Sequence, residues 1–177
     1  MAYEIFAEDS LTGTAASIDL TAIPQTSTHL ELVINARSTR VNAYTSGGEM
    51  TFNGDTGATY GHNGMYLLNS TTPSIYNLNP NDRNQIDNPF RIVNDSMTAN
   101  LYAQTKMIIP NYTNTSITRK GVLIQTGTGG DSTSAYWTLI SMASWSSTAA
   151  ITQITMFSEA VGDPFKAGTS YYLAGWE

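Results

Sequence analysis

Ser17-Ile18-Asp19-Leu20-Thr21-Ala22-Ile23-Pro24 and, shortly after it, Thr28-His29-Leu30-Glu31-Leu32-Val33-Ile34-Asn35-Ala36 decide the reading of the fold. In the first stretch Ile18 and Leu20 alternate with Ser17 and Asp19. In the second, Leu30, Leu32 and Ile34 share one face, while Glu31, Val33 and Asn35 take the other. A period of two is the signature of a strand with one side buried and one side wet. Pro24 has no N–H to give to a ladder and fixes its own φ, so it ends the first strand and starts a turn. The unit is strand–turn–strand with a defined inside and outside.

The same alternation continues outward. Met50 and Phe52 mark a short strand, closed by the turn signal Asn53-Gly54-Asp55-Thr56-Gly57. Gly61 to Gly64 prolong the irregular region before an apolar patch, Met65 to Leu68. Further strands are expected at Phe90–Val93, Leu101–Ile109, Lys120–Gln125, Tyr136–Met142, Ile151–Phe157 and Tyr171–Ala174. Sustained helical periodicity is absent. Eight to ten short strands separated by turns predict an all-β protein, an antiparallel β-sandwich of jelly-roll type. Residues 1–177 form one domain, with an N-terminal arm over about 1–9 and a long irregular loop over about 69–89, where Pro73, Pro80 and Pro89 stand among many Asn residues.

Composition excludes several classes of function. Among 177 residues only 12% are charged, the formal net charge is −6, and Lys plus Arg number 8. Phosphate contacts need a basic patch, so nucleic acid is not an expected partner. Arg119-Lys120 is the one adjacent basic pair and reads as a solvated strand entrance. There is no cysteine, which removes disulfides, thiolate catalysis and zinc–thiolate sites. No apolar run approaches a membrane span of about 20 residues. The first residues lack the basic and apolar regions of a signal peptide, so release from a cell by lysis within a particle is expected.

Constellations for chemistry are weak. His29 and His62 are far apart and lack metal-ligand spacing; His29 reads as a structural residue at a strand start. Asp55 and His62 could meet across a loop with a Ser nearby, but a Ser–His–Asp site lacks a Gly-x-Ser-x-Gly elbow here. Glu8-Asp9, Glu159 and Asp163 read as loop and surface acids, with no spacing for paired-carboxylate glycoside cleavage. Trp137, Trp145, Tyr171, Tyr172 and Trp176 suit core or cross-strand packing, with sugar stacking as the alternative. Asn53–Gly57 and Gly127–Gly130 lack the Lys and the following helix of a phosphate loop and read as hairpin turns. One carboxylate, Asp55, is no calcium cage. No enzyme, cofactor or metal is expected.

Four stretches carry a family likeness: Ile18 to Pro24; Thr28 to Leu32 with Ala36-Arg37-Ser38; Phe52-Asn53-Gly54-Asp55-Thr56-Gly57-Ala58-Thr59-Tyr60; and Ser147 to Ile154 with Ala167-Gly168-Thr169. In this order the chain resembles β-domains of tailed-bacteriophage virions, known as small head decoration (cement) proteins and as tail-fibre modules. The resemblance implies a β-sandwich or jelly-roll that acts without catalysis, usually as a homo-oligomer. It favours a capsid decoration protein that binds and stabilises the coat lattice, commonly as a homotrimer, on the exterior of a capsid assembled in the host cytoplasm. The partners are then the major capsid protein lattice and further copies of the chain. The alternative is a tail-fibre or receptor-binding module that recognises host-surface glycans; the lack of an attachment segment and shaft repeats speaks for decoration. Tyr3, Ile5 and Phe6 of the arm and Tyr76, Leu78, Arg83 and Ile86 of the loop are the residues expected to meet a partner. Arg37 is expected to pair with an acid on a neighbouring strand or subunit, or to end a strand in solvent.

Overall fold

The computed structural model describes residues 3–41, 43–68, 72–129, 136–159 and 162–177. Twelve strands stand among them: β1 (Tyr3–Ser10), β2 (Ser17–Leu20), β3 (His29–Ala36), β4 (Thr45–Phe52), β5 (Tyr60–Leu68), β6 (Ser74–Arg83), β7 (Ile86–Val93), β8 (Ala103–Pro110), β9 (Lys120–Thr128), β10 (Trp137–Trp145), β11 (Ile154–Ser158) and β12 (Ser170–Trp176). They form an eight-stranded sheet in the order β1-β12-β3-β8-β9-β10-β5-β6 and a four-stranded sheet in the order β2-β11-β4-β7. Every pairing within the sheets is antiparallel. The two sheets pack as a β-sandwich, as the alternation predicts.

The core lies between the sheets and is built from the period-two positions. Leu30, Leu32, Ile34 and Ala36 of β3 are fully buried, and Met107, Ile109, Val122, Ile124 and Trp145 extend the same layer. Ile18, Leu20, Met50, Phe52, Phe90, Ile92, Ile154 and Met156 face them from the smaller sheet. Burying a side chain of this size is worth roughly 1.5–3 kcal/mol, which lets a cysteine-free chain of this length hold one core. Among the described residues no helix is long and apolar enough to cross a membrane.

The turn predicted at Asn53-Gly54 is well formed. Asn53 (φ 52°) and Gly54 (φ 66°) both take the left-handed region, and the Asp55 N–H donates to the Phe52 carbonyl at 2.9 Å. It does not close the expected hairpin: β4 lies in the four-stranded sheet and β5 in the eight-stranded one, so the turn carries the chain from one sheet to the other. The Asn53 side chain also ties the turn to a distant loop: its Nδ2 donates to the Ala150 carbonyl at 2.7 Å, and its Oδ1 accepts from the N–H groups of Thr152 and Gln153.

Three expectations are corrected. The N-terminal arm is the edge strand β1, paired along its length with β12; Phe6 packs on the core beside Gly175, where a Cβ would lie 2.3 Å from the Phe6 ring. The long loop over 69–89 is largely two strands, β6 and β7. Asn and Pro there mark a sheet edge and a bulge, features that share their residue chemistry with loops. Lys120 is not a solvated cation: it is fully buried, donates to the Ser147 carbonyl at 3.3 Å and stands 5.8 Å from the Trp145 ring centre, and burial lowers its pKa. Arg119 beside it is exposed.

Candidate functional site

The eight-stranded sheet overhangs the four-stranded one, and a cleft of about 350 Å³ forms where the edge strand β7 leaves β5 and β10 uncovered. Tyr66 comes from β5, Trp137 and Leu139 from β10, Asp87, Asn88 and Arg91 from β7, and Glu159 from the end of β11. The pleat explains the first three, since alternate residues of β5 and β10 point toward the smaller sheet.

A bulge supplies the others. Between Gly47 and Glu49 the pairing of β4 with β7 shifts register, Gly47 standing opposite Arg91 and Glu49 opposite Asp87. Asn88 sits at φ 56° inside this bulge, a conformation Asn tolerates better than most residues. Both facing positions need glycine: a Cβ on Gly47 would lie 1.7 Å from Asn88 Oδ1 and 2.5 Å from Glu159 Oε2, and one on Gly48 would lie 2.0 Å from the Phe90 ring. The Gly47 N–H donates to Glu159 Oε2 at 2.9 Å, fixing that carboxylate at the cleft. Gly47-Gly48 therefore let β7 fold its bulge down onto β4 and re-aim Asn88, a common use of bulges next to sites.

The aromatic wall is a three-layer stack. Tyr66 and Trp137 lie parallel, 4.6 Å apart at 5°, and the Arg91 guanidinium stands 3.6 Å from the Trp137 ring centre. A ring and a guanidinium this close cannot share one face, so Trp137 is sandwiched, a favourable arrangement for cation and quadrupole. The Trp137 side chain is buried, and its Nε1 has no hydrogen-bond partner.

Acids gather on the opposite side. Asp87 takes a hydrogen bond from Gln85 Nε2 at 3.1 Å and pairs with Arg83 at 3.5 Å. Glu49 stands beside Asp87 on the outer face of the smaller sheet. Burial, then the charges of Asp87 and Glu159, push its carboxyl up to about 7. Among the described residues no group of three or more acids and histidines is arranged to hold a metal ion.

Behind the cleft, His62 Nδ1 lies 2.6 Å from the Asp87 carbonyl and Nε2 lies 2.9 Å from Ser141 Oγ. A carbonyl can only accept, so Nδ1 carries the proton and Nε2 accepts from the hydroxyl. Burial lowers the His62 pKa to about 4. Both side chains are enclosed, His62 at 2% and Ser141 at 3% exposure, and the pair fastens β7 to the larger sheet. Asp55 belongs elsewhere: it accepts from Trp145 Nε1 at 2.7 Å, the Gly57 N–H and the Thr59 hydroxyl. The structure does not join Asp55 to His62.

A second feature lies on the outer face of the larger sheet. Met142 is paired directly with Leu123, Ile140 with Met65, and Met65 with Ile75. The five side chains form one apolar band across β9, β10, β5 and β6, exposed from 39% at Leu123 to 84% at Ile75.

Of the residues expected to meet a partner, Tyr3 and Ile5 are exposed on β1, and Phe6 turns inward. Arg83 reaches the cleft rim through Asp87. Ile86 is corrected: it is fully buried, opposite Met50 in the core. The side chains of Tyr76 and Leu78 lie outside the described residues. Sequence reasoning missed Glu49, Asp87 and Arg91; the Gly47-Gly48 pair was the available signal for a close approach. Arg37 meets its acid within the chain: it pairs with Asp95 at 3.2 Å and donates to the carbonyls of Met97, Thr98 and Leu101.

No family model matches the chain, and no curated protein matches it. Similar solved structures include the CBM40 domain of the Ruminococcus gnavus IT-sialidase, at 11% identity over 94% of this chain and 91% of that one, TM-score 0.32. The same domain bound to alpha2,3 sialyllactose is similar at 11% identity over 96% and 90%, TM-score 0.31. The VIP36 exoplasmic/lumenal domain, in its Ca2+/Man3GlcNAc-bound form, is similar at 9% identity over 93% of each chain, TM-score 0.22. At TM-scores this low the likenesses assign nothing further to this chain.

Proposed function

We propose that this chain is a non-enzymatic structural protein of a tailed-phage particle, a decoration protein that docks on the coat lattice through the outer face of its larger sheet. The observation that carries the reading is the exposed apolar band Leu123–Met142–Ile140–Met65–Ile75, set in cross-strand register on the outer face of the larger sheet. Contiguous exposed apolar surface of this kind marks interaction sites. The resemblance of the sequence to phage virion β-domains names the partner, and a surface with few charges suits attachment by burial. Each copy would contribute modest contact area, and the repetition of the lattice would convert it into stable attachment. A closed homotrimer would set the same face of each copy against one axis. Tyr3 and Ile5, exposed on the opposite edge strand, are then the contacts between copies.

The test is co-sedimentation of purified protein with capsids that lack it, with intact host cells as the parallel arm. Saturable binding to capsids alone supports decoration and gives the copies per particle. Binding to cells alone overturns it in favour of the second reading, a receptor-binding module for host glycans, which the cleft of Tyr66, Trp137, Arg91, Asp87 and Glu159 favours.

A further inference from the structure

The methionines of the chain fall into two groups. Met50, Met107 and Met156 are fully buried and Met97 is 5% exposed, whereas Met65 and Met142 are 49% and 59% exposed. Met1 lies outside the described residues. The chain has no cysteine, so its reversible sulfur oxidation belongs to methionine. We propose that Met65 and Met142 are a paired oxidation site, and that their conversion to the sulfoxide by a peroxide releases the protein from the surface it docks on. The assignment rests on the docking reading above.

Strand register sets the two side chains at the middle of the apolar band. Met65 of β5 stands directly opposite Ile140 of β10, and Met142, two residues further along β10, stands opposite Asn63. The two methionines are therefore diagonal neighbours on one face, within reach of each other for long side chains. On their other sides Leu123 is opposite Met142 and Ile75 is opposite Met65. Ile140, Leu123 and Ile75 resist mild oxidants, so the redox chemistry of the band is confined to these two sulfurs. A flexible thioether also adapts to an irregular partner surface, which suits a docking contact.

The step is a two-electron oxygen transfer. The thioether sulfur attacks one oxygen of hydrogen peroxide; an S–O bond forms and the O–O bond breaks. The other oxygen leaves as water with both protons, so sulfur is oxidised and peroxide reduced. Each sulfoxide turns an apolar side chain into a polar one, and covering its oxygen with an apolar partner surface strips it of water without a hydrogen bond in return. The other described methionines are buried, so the fold survives a dose that alters the band. Docking covers the same two sulfurs, and an attached copy is thereby protected.

The test treats purified protein with hydrogen peroxide, removes the excess with catalase, and co-sediments the product with capsids that lack it. Peptide mass spectrometry reads each methionine, and urea unfolding checks the fold. The expected result is sulfoxide at Met65 and Met142 before Met50, Met97, Met107 and Met156, with at least tenfold weaker capsid binding at an unchanged unfolding midpoint. Methionine sulfoxide reductases A and B, one for each epimer, should restore binding. Met65→Leu/Met142→Leu should bind equally before and after peroxide, and wild type already on capsids should keep both sulfurs reduced at the same dose. Undiminished binding by protein oxidised at both positions removes the switch and keeps docking. Equal loss in the double leucine variant, or loss that the reductases do not reverse, also overturns it. Untreated protein that fails to bind capsids removes the docking reading, and the switch with it.

Discussion

At the scale of single residues, the two glycines of β4 and the arginine after β3 show how much of the structure hangs on local space and charge. A methyl on Gly48 must displace the Phe90 ring, and overpacking of this kind costs about 1–3 kcal/mol. Gly48→Ala is expected to lower the urea midpoint accordingly. Gly121→Ala, with nothing within 4 Å of the added Cβ, should leave it unchanged. Arg37 is only 3% exposed and supplies hydrogen bonds to three carbonyls of the 97–101 turn as well as to Asp95. Arg37→Ala strands those acceptors, and a loss of roughly 2–4 kcal/mol is expected in the same measurement. Lys166 also pairs with Asp95, at 2.5 Å, and with Arg37 holds the Asp95 carboxyl below its usual range. Lys166 is well exposed, however, so Lys166→Ala should cost less than about 1 kcal/mol.

At the scale of elements, β4, β5 and β7 are coupled through two groups that titrate in opposite senses. Glu49 on β4 is raised to about 7 by burial and by Asp87 and Glu159, so the folded state binds its proton more tightly than the unfolded chain. Its contribution to stability is present at low pH and is lost as pH rises from about 4.5 to 7. His62 on β5 is lowered to about 4; its contribution is present above about 6.5 and is lost as pH falls toward 4. The two slopes oppose, and wild-type stability should be nearly flat between pH 5 and 6.5. Glu49→Gln removes one slope. Denaturation of that variant should show it about 2 kcal/mol less stable at pH 5 than at pH 7; a flat profile would contradict the assignment. The elements themselves were legible to different degrees. β2, β3 and the turn at Asn53-Gly54 were readable because strict alternation and an Asn-Gly signal leave few alternatives, although that turn joins the two sheets and closes no hairpin. β6 and β7 were not, since Asn and Pro at a bulged edge use the same vocabulary as a loop. The cleft stayed hidden because its acids and aromatics come from four strands distant in sequence, and no local spacing records that β7 lies over β5 and β10.

At the scale of the whole molecule, the sandwich presents two unlike surfaces: a polar cleft at the uncovered end of the larger sheet and an apolar band on its outer face. Neither requires chemistry, and the buried Ser141–His62 pair serves to join strands. The attachment reading places the energy of docking in the band, where the residues most exposed, Ile75 and Met142, flank the directly paired Met65 and Ile140. A charge placed there leaves the core untouched, so fold and docking can be separated. The most direct measurement is therefore capsid co-sedimentation of the Met65→Lys/Ile140→Lys double variant beside wild type, with urea unfolding of both as the control for folding. Loss of at least 90% of capsid-bound protein at an unchanged unfolding midpoint is the predicted result; undiminished binding by the folded variant would contradict docking through this face.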